Sequence, residues 1–225
     1  MPFLNIVFLL ISVMFASAAS AYEPPANASR LVLDRQGIKI WAYQVPDSPL
    51  YGFKAVTTVK STLSGLVALI GDTNNARKWI YRTKAVDLLE RNDSARTFAV
   101  RVVTDFPWPF RDRDAVVVGS IDQDPNTYRV RIDSHSAQKP VKACCVRMPM
   151  VEGSWILKPL PAGMVEITMT GHADPGGYIP TGAVNLLVQE YPYNTLKGLR
   201  KIIGEDLYQQ AQLAFIAEPS SHKNP

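Results

Sequence analysis

From Gly37 to about Asp174 apolar and polar residues alternate along the chain. Phe98, Val100 and Val102 are apolar at every second position, as are Tyr128, Val130 and Ile132, and Val165, Ile167 and Met169. Between and beside them stand Arg129, Arg131, Asp133, Glu166, Thr168 and Thr170. A period of two gives each face of a strand its own residue class, and one dry face opposite one wet face marks an antiparallel sheet covered on one side. Turn residues divide the pattern: "GIKIWAYQV" and "YGFKAVTTVK" meet at "PDSP", and "YRTKAVDLLER" and "ARTFAVRVVTDF" at "NDS". "AVVVGSIDQD" and "TYRVRIDSHS" meet at "PN", and "KACCVRMPMVEGSWILKPL" and "MVEITMTGHAD" at "PAG". The expectation is a meander of about eight strands.

Two segments follow the helical period instead. In "STLSGLVALIG", Ser61 or Thr62 can cap a helix through Leu63, Leu66, Val67 and Ile70, with Gly71 ending it. After the "DPGG" breaker, the run from Tyr178 to Glu218 reads as helix over much of its length. Leu196, Leu199, Ile203, Leu207 and Ala211 recur at helical spacing, and Pro192 is expected to kink it near Glu190. "RLVLDRQ" reads as a short helical turn before the first strand, and "NNARKW" as another after the first helix. One domain over residues 22–218 is expected, followed by a polar, disordered tail over 219–225.

"DFPWPFRDRD" fits neither period, since its two prolines exclude a helix and a strand interior. It is a corner between two strands, with Arg113 and Asp114 as structural charges and Arg113 lying against Trp108 or Phe110. Arg111 and Asp112 are expected to be solvated.

The first 21 residues carry no charged side chain, run apolar from Phe3 to Phe15, and end Ala19-Ser20-Ala21. That is the pattern of a secretory signal peptide, with an uncleaved membrane anchor as the alternative. A periplasmic or secreted location follows. The net charge of +4 suits transient contact with an anionic membrane surface, while the lack of a dense Lys/Arg cluster argues against nucleic acid. A monomer is expected. Cys144 and Cys145 are adjacent; on a strand they point to opposite faces, so two unpaired small residues are expected.

Catalytic patterns are poor. His135, His172 and His222 form no set with metal-ligand spacing, "EGSWI" lacks the small residue that a nucleophile elbow needs, and no glycine-rich phosphate loop appears. No cofactor is expected. His172, near Asp174, is the candidate general base, against the plainer reading of a surface histidine. Asn27-Ala28-Ser29 and Asn92-Asp93-Ser94 are glycosylation sequons, relevant only in an endoplasmic reticulum.

"PWPFRDRDAVV" resembles the corner of START domains, and "GGYIPTGAVNLLVQEYPYNTLKGLRK" resembles the start of their C-terminal helix. The order of elements agrees along residues 30 to 215, and a leader followed by one such domain resembles exported bacterial START-like proteins. The resemblance implies an α+β helix-grip fold, a curved antiparallel sheet wrapped around a long C-terminal helix with an internal hydrophobic cavity. It also implies binding of a lipid, sterol or other apolar molecule and its carriage between membranes. The chain departs from some sterol- and lipid-binding members at Gly119, where they place an arginine that pairs with an acid in the cavity.

The candidate wall is Phe98, Val100, Val102, Val130, Ile132, Val165, Ile167 and Met169 on the sheet, facing Val184, Leu187, Val188 and Tyr191 on the helix. The same residues would serve a solid core, and sequence does not separate the two. Gly176-Gly177 is the candidate hinge for ligand uptake. A non-enzymatic carrier is the leading expectation. A helix-grip superfamily enzyme, such as a cyclase or hydrolase acting in the same cavity, is the alternative, and a ligand-sensing module the third.

Overall fold

A computed structural model describes residues 29–140 and 144–219. The expected leader, the Asn27 sequon position and all but the first residue of the expected tail lie outside those residues. Ten strands form one sheet: β1 (Ser29–Arg35), β2 (Ile38–Gln44), β3 (Tyr51–Lys60), β4 (Thr83–Asn92), β5 (Thr97–Thr104), β6 (Arg113–Gln123), β7 (Val130–Ser136), β8 (Val146–Arg147), β9 (Met150–Leu160) and β10 (Met164–Asp174). Their order is β1-β2-β3-β10-β9-β7-β6-β5-β4, antiparallel along that path, with β8 added parallel to the start of β6. The sheet is open, with β1 and β4 at its edges. Among the described residues no helix is long and apolar enough to cross a membrane.

The helical turn expected over "RLVLDRQ" is instead β1, paired with β2 across Gln36 and Gly37. Both turn residues have positive φ, 53° and 72°, the backbone of a tight two-residue hairpin. That hairpin draws the segment into the ladder, and its short apolar run suits either period.

α1 (Leu63–Gly71) follows β3. Thr62, one of the two caps expected, accepts a hydrogen bond from the Gly65 N–H at 2.9 Å. The two N–H groups before it, of Leu63 and Ser64, donate to the Glu218 carboxylate at 3.0 and 2.7 Å. A negative charge is well placed at a helix N-terminus, so this contact both caps α1 and pins the C-terminal segment. Gln123 pins it again by two bonds with Ala217, each 2.8 Å long.

α2 (Thr181–Ile202) runs through Pro192 and buries Leu196 and Leu199 completely. It stops at Ile202, earlier than the periodicity suggests. A turn through Gly204 leads to α3 (Asp206–Gln209), so Leu207 lies off the stripe and is 63% exposed.

The proline-rich corner joins β5 to β6. Arg113 is buried, with its guanidinium over the rings of Phe106 at 4.5 Å and Phe110 at 6.0 Å. It donates to the carbonyls of Pro175 (3.3 Å), Gly176 (3.2 Å) and Arg111, which ties the corner to the turn before α2. Trp108 is not its partner: the indole stands 93% exposed. Asp114 is fully buried and takes two bonds from Arg147, at 2.8 and 3.1 Å, and one from the Cys144 N–H. Asp112 is not merely solvated but pairs with Lys84 at 2.8 Å. Cys144 and Cys145, expected to be unpaired, are bonded to each other. They lie in a bend before β8 and not in a strand, so the rule of opposite faces does not apply to them.

Candidate functional site

The inner face of the sheet is full at one end and hollow at the other, and the register shows why. Ile167, Leu157 and Val130 stand side by side across β10, β9 and β7. All three are fully buried, together with Val165, against Leu196 and Leu199 of α2 and the leucines of α1. Two residues further along the strands the row is Met169, Trp155, Ile132 and Ile121. Two further again it is Phe53, Gly171, Gly153, Ser134, Gly119 and Phe98.

In that third row the middle four residues are three glycines and a serine. Phe53 folds over Gly171 and Phe98 over Gly119, so close that an added Cβ would meet those rings at 2.7 and 2.5 Å. Gly153 is left open: a Cβ there would touch only the Ser134 Oγ at 3.4 Å and the Thr170 carbonyl at 3.5 Å. Glycine inside a strand weakens it and usually marks a close approach of something else. Here the missing side chains leave a cavity of about 820 Å³ between the sheet and the helices.

Of the wall residues expected from sequence, Phe98, Val100, Val102, Ile132 and Met169 line this cavity from the sheet. Val184, Leu187, Val188 and Tyr191 line it from α2. Val130, Val165 and Ile167 do not; they belong to the filled end. Sequence reading missed Phe53, Trp79, Trp155, Leu213 and Phe215, all of which border the cavity. It also missed the glycine row, although glycines at interior strand positions were a visible signal. The departure at Gly119 now has a cause. The Phe98 ring and the Asp133 carbonyl occupy the space a larger residue would need, so no arginine fits there.

Charged groups at the cavity are mostly paired. Arg82 meets Asp105 at 3.3 Å and Arg91 meets Asp93 at 2.5 Å. Burial raises Asp72, but bonds from Asn75 and the Tyr208 hydroxyl (3.0 Å) outweigh it and hold the carboxyl below its usual range. Desolvation pushes the Tyr191 phenol up to about 12. Tyr191 packs against Phe53 with ring centroids 6.1 Å apart.

His172 borders the cavity but is no surface histidine, being only 8% exposed. Its parity on β10 is opposite to that of Met169 and Gly171, which sets the imidazole on the other face beside its cross-strand neighbour Glu152. Burial pushes its pKa down against the opposing pull of Glu152 and Asp174. Strand parity thus sets the expected general base off the glycine floor, at the cavity's border, where Glu152 also stands. No group of three His, Cys, Asp or Glu side chains among the described residues could hold a metal ion.

The START domain profile matches residues 31–206. A STAR-related lipid transfer protein fragment from Xanthomonas axonopodis is similar in structure, with a TM-score of 0.73, 29% identity, and coverage of 79% of this chain and 99% of that one. Human StAR-related lipid transfer protein 5 shares the fold at a TM-score of 0.72 and 14% identity, over 80% of this chain and 88% of that one. An uncharacterized protein of Pseudomonas aeruginosa is 29% identical over 192 residues, which is 83% of this chain and 94% of the relative. A sheet gripping a C-terminal helix around a hollow, and a profile match over most of the chain, agree: this protein belongs to the START domain family, whose members bind and transfer lipids.

Proposed function

We propose that this protein is a non-enzymatic carrier that takes one lipid or similar apolar molecule into the cavity and releases it at another membrane. The observation that carries the reading is the glycine-floored cavity of about 820 Å³ beneath α2. Each methylene moved from water into such a site contributes about 0.8 kcal/mol, so a chain of moderate length is held without any covalent step.

The surface beside the corner supports the membrane half of the proposal. Trp108 is 93% exposed and Tyr178 97%, and Arg113 bonds the loops that carry them to each other. Leu186, on the first half of α2, is 71% exposed. Aromatic side chains of this kind favour the headgroup layer, and a net charge of +4 adds attraction to anionic lipid. Docking there would bring the membrane to Gly176 and Gly177, whose φ angles of 64° and 69° suit a hinge at the foot of α2. The leader suggests that the transfer takes place in an exported compartment.

Two measurements test this. Native mass spectrometry of protein purified from cells is expected to show a stoichiometric lipid adduct. Transfer of a fluorescent lipid between anionic vesicles should slow several-fold in Trp108→Ala, with unfolding unchanged. Protein that carries no adduct and takes up no lipid from vesicles would end the carrier reading.

A further inference from the structure

We propose that residues 210–218 form a second gate, a strap that closes the cavity at the end away from the corner and opens it when its fastenings release. This rests on the carrier reading and adds a second route to it.

The corner and the strap stand at the two ends of one strand. β6 begins at Arg113, which holds the corner, and ends at Gln123, which holds Ala217 of the strap. Its eleven residues of extended chain put about 33 Å between those ends. The cavity follows that length. Phe106 and Ala115 line it near the corner, and Ile121 and Arg96 line it at the far end. There the Ile121 N–H donates to the Arg96 carbonyl at 2.9 Å, which sets the β4–β5 turn at the same level.

The strap is what closes that far end. Leu213 and Phe215 line the cavity, and Ile216 is buried in the core. The match to the START profile ends at residue 206, so the strap lies beyond the matched region. None of the residues 211–219 is in a helix or strand. The fastenings are polar: the Glu218 carboxylate accepts from the Leu63 and Ser64 N–H groups, and Gln123 exchanges two bonds with Ala217. A further bond from Gln123 to the Tyr128 carbonyl, 3.0 Å long, holds that amide in place.

A segment without ladder bonds, tied by side-chain bonds that water can replace, opens at a lower free energy than the sheet beside it. Two of its three large apolar side chains, Leu213 and Phe215, border the hollow and are only partly buried. Releasing them gives up less packing than drawing the same residues from a filled core. The wall beside the strap is thin as well. Leu88 on the edge strand β4 is 51% exposed and Leu207 on α3 is 63% exposed, yet both line the cavity. Release of the strap would widen that place into a portal between α3 and the β4–β5 hairpin.

The test is the exchange of the neutral dye N-phenyl-1-naphthylamine with the full chain, followed by stopped-flow fluorescence without membranes. Glu218→Gln combined with Gln123→Ala unfastens the strap. It is expected to raise the rates of dye entry and release together, by roughly fivefold or more, while the affinity moves by less than about threefold. Hydrogen exchange at the Ile216 amide, which bonds the Leu213 carbonyl at 2.9 Å, should quicken in parallel. Val165→Ala weakens the packed end without touching the strap, and both dye rates should stay within about twofold. Glu218→Gln alone keeps the Gln123 clamp; it should show the same change at smaller amplitude and serves if the double variant does not fold. Dye rates unchanged in both strap variants, or raised as much by Val165→Ala, would overturn the second gate and leave the carrier reading intact. No saturable dye uptake by the unaltered protein would overturn the carrier reading itself, and this proposal with it.

Discussion

The two ends of the sheet's inner face are built from the same strands and the same alternation, yet one is solid and the other hollow. On β10, Val165 and Ile167 are fully buried in the packed end, whereas Gly171, on the same face, opens onto the cavity. On β9, Leu157 and Gly153 repeat the contrast, and on β7 so do Val130 and Ser134. Hydrophobic alternation decides which face is dry. Whether that face is filled depends on side-chain size along a row that crosses the strands, and each residue of the row comes from a distant part of the chain. The packed end carries stability, which leaves the other end free of that task.

The comparison makes its largest prediction for paired truncations. Val165→Ala and Val102→Ala delete the same atoms from the two ends. Val165 is enclosed, so its loss leaves a void and should cost about 2–3 kcal/mol. Val102 already borders open space, so its loss should cost about 1 kcal/mol. Urea unfolding of the two variants measures the difference. Equal costs would mean that the second end is packed as tightly as the first.

Filling the hollow is the converse experiment. Gly153 has an ordinary φ, and a Cβ there meets nothing closer than 3.4 Å, so Gly153→Val should change stability by less than about 1 kcal/mol. Its side chain would occupy the middle of the floor, and uptake of N-phenyl-1-naphthylamine should fall by roughly tenfold or more. Gly119→Val is the control in the other direction. There the Phe98 ring and the Asp133 carbonyl stand within 2.5 Å, so the fold itself should suffer.

How much of this was legible in the chain follows from which interactions are local. The alternation of β5, β7 and β10, the Thr62 cap of α1 and the nature of the corner can all be read within a dozen residues. β1 cannot, because a short apolar run such as Leu31-Val32-Leu33 fits either period until β2 pairs with it. Three wall residues, Val130, Val165 and Ile167, were placed on the correct face but in the wrong row, since rows are set by register between distant strands. The early end of α2 turns on Gly204, which the heptad-like spacing of Leu207 and Ala211 obscured. Two features were readable and went unread. Gly119, Gly153 and Gly171 stood inside strand patterns, and counting from Met169 to His172 already sets the histidine on the opposite face.

His172 tests the comparison from the back of the hollow end, and its expected effect is the smallest. Its pKa in the folded protein lies below the ordinary value of 6.5 because burial outweighs Glu152 on β9 and Asp174 on β10. Well above its ordinary pKa of 6.5 the imidazole is neutral in both folded and unfolded chains, and it contributes no pH dependence there. As pH falls below that value the unfolded chain binds a proton that the folded one resists, so stability declines until the folded-state pKa is passed. The slope from one such group stays under about 1.4 kcal/mol per pH unit. His172→Gln should remove this segment of the stability curve, measured by urea midpoints between pH 7 and pH 5, and leave dye binding at pH 7 within about twofold. That last condition carries the argument. If His172→Gln instead abolished uptake at constant stability, the imidazole would have to reach the cavity, and the two faces of the sheet would not be separate compartments.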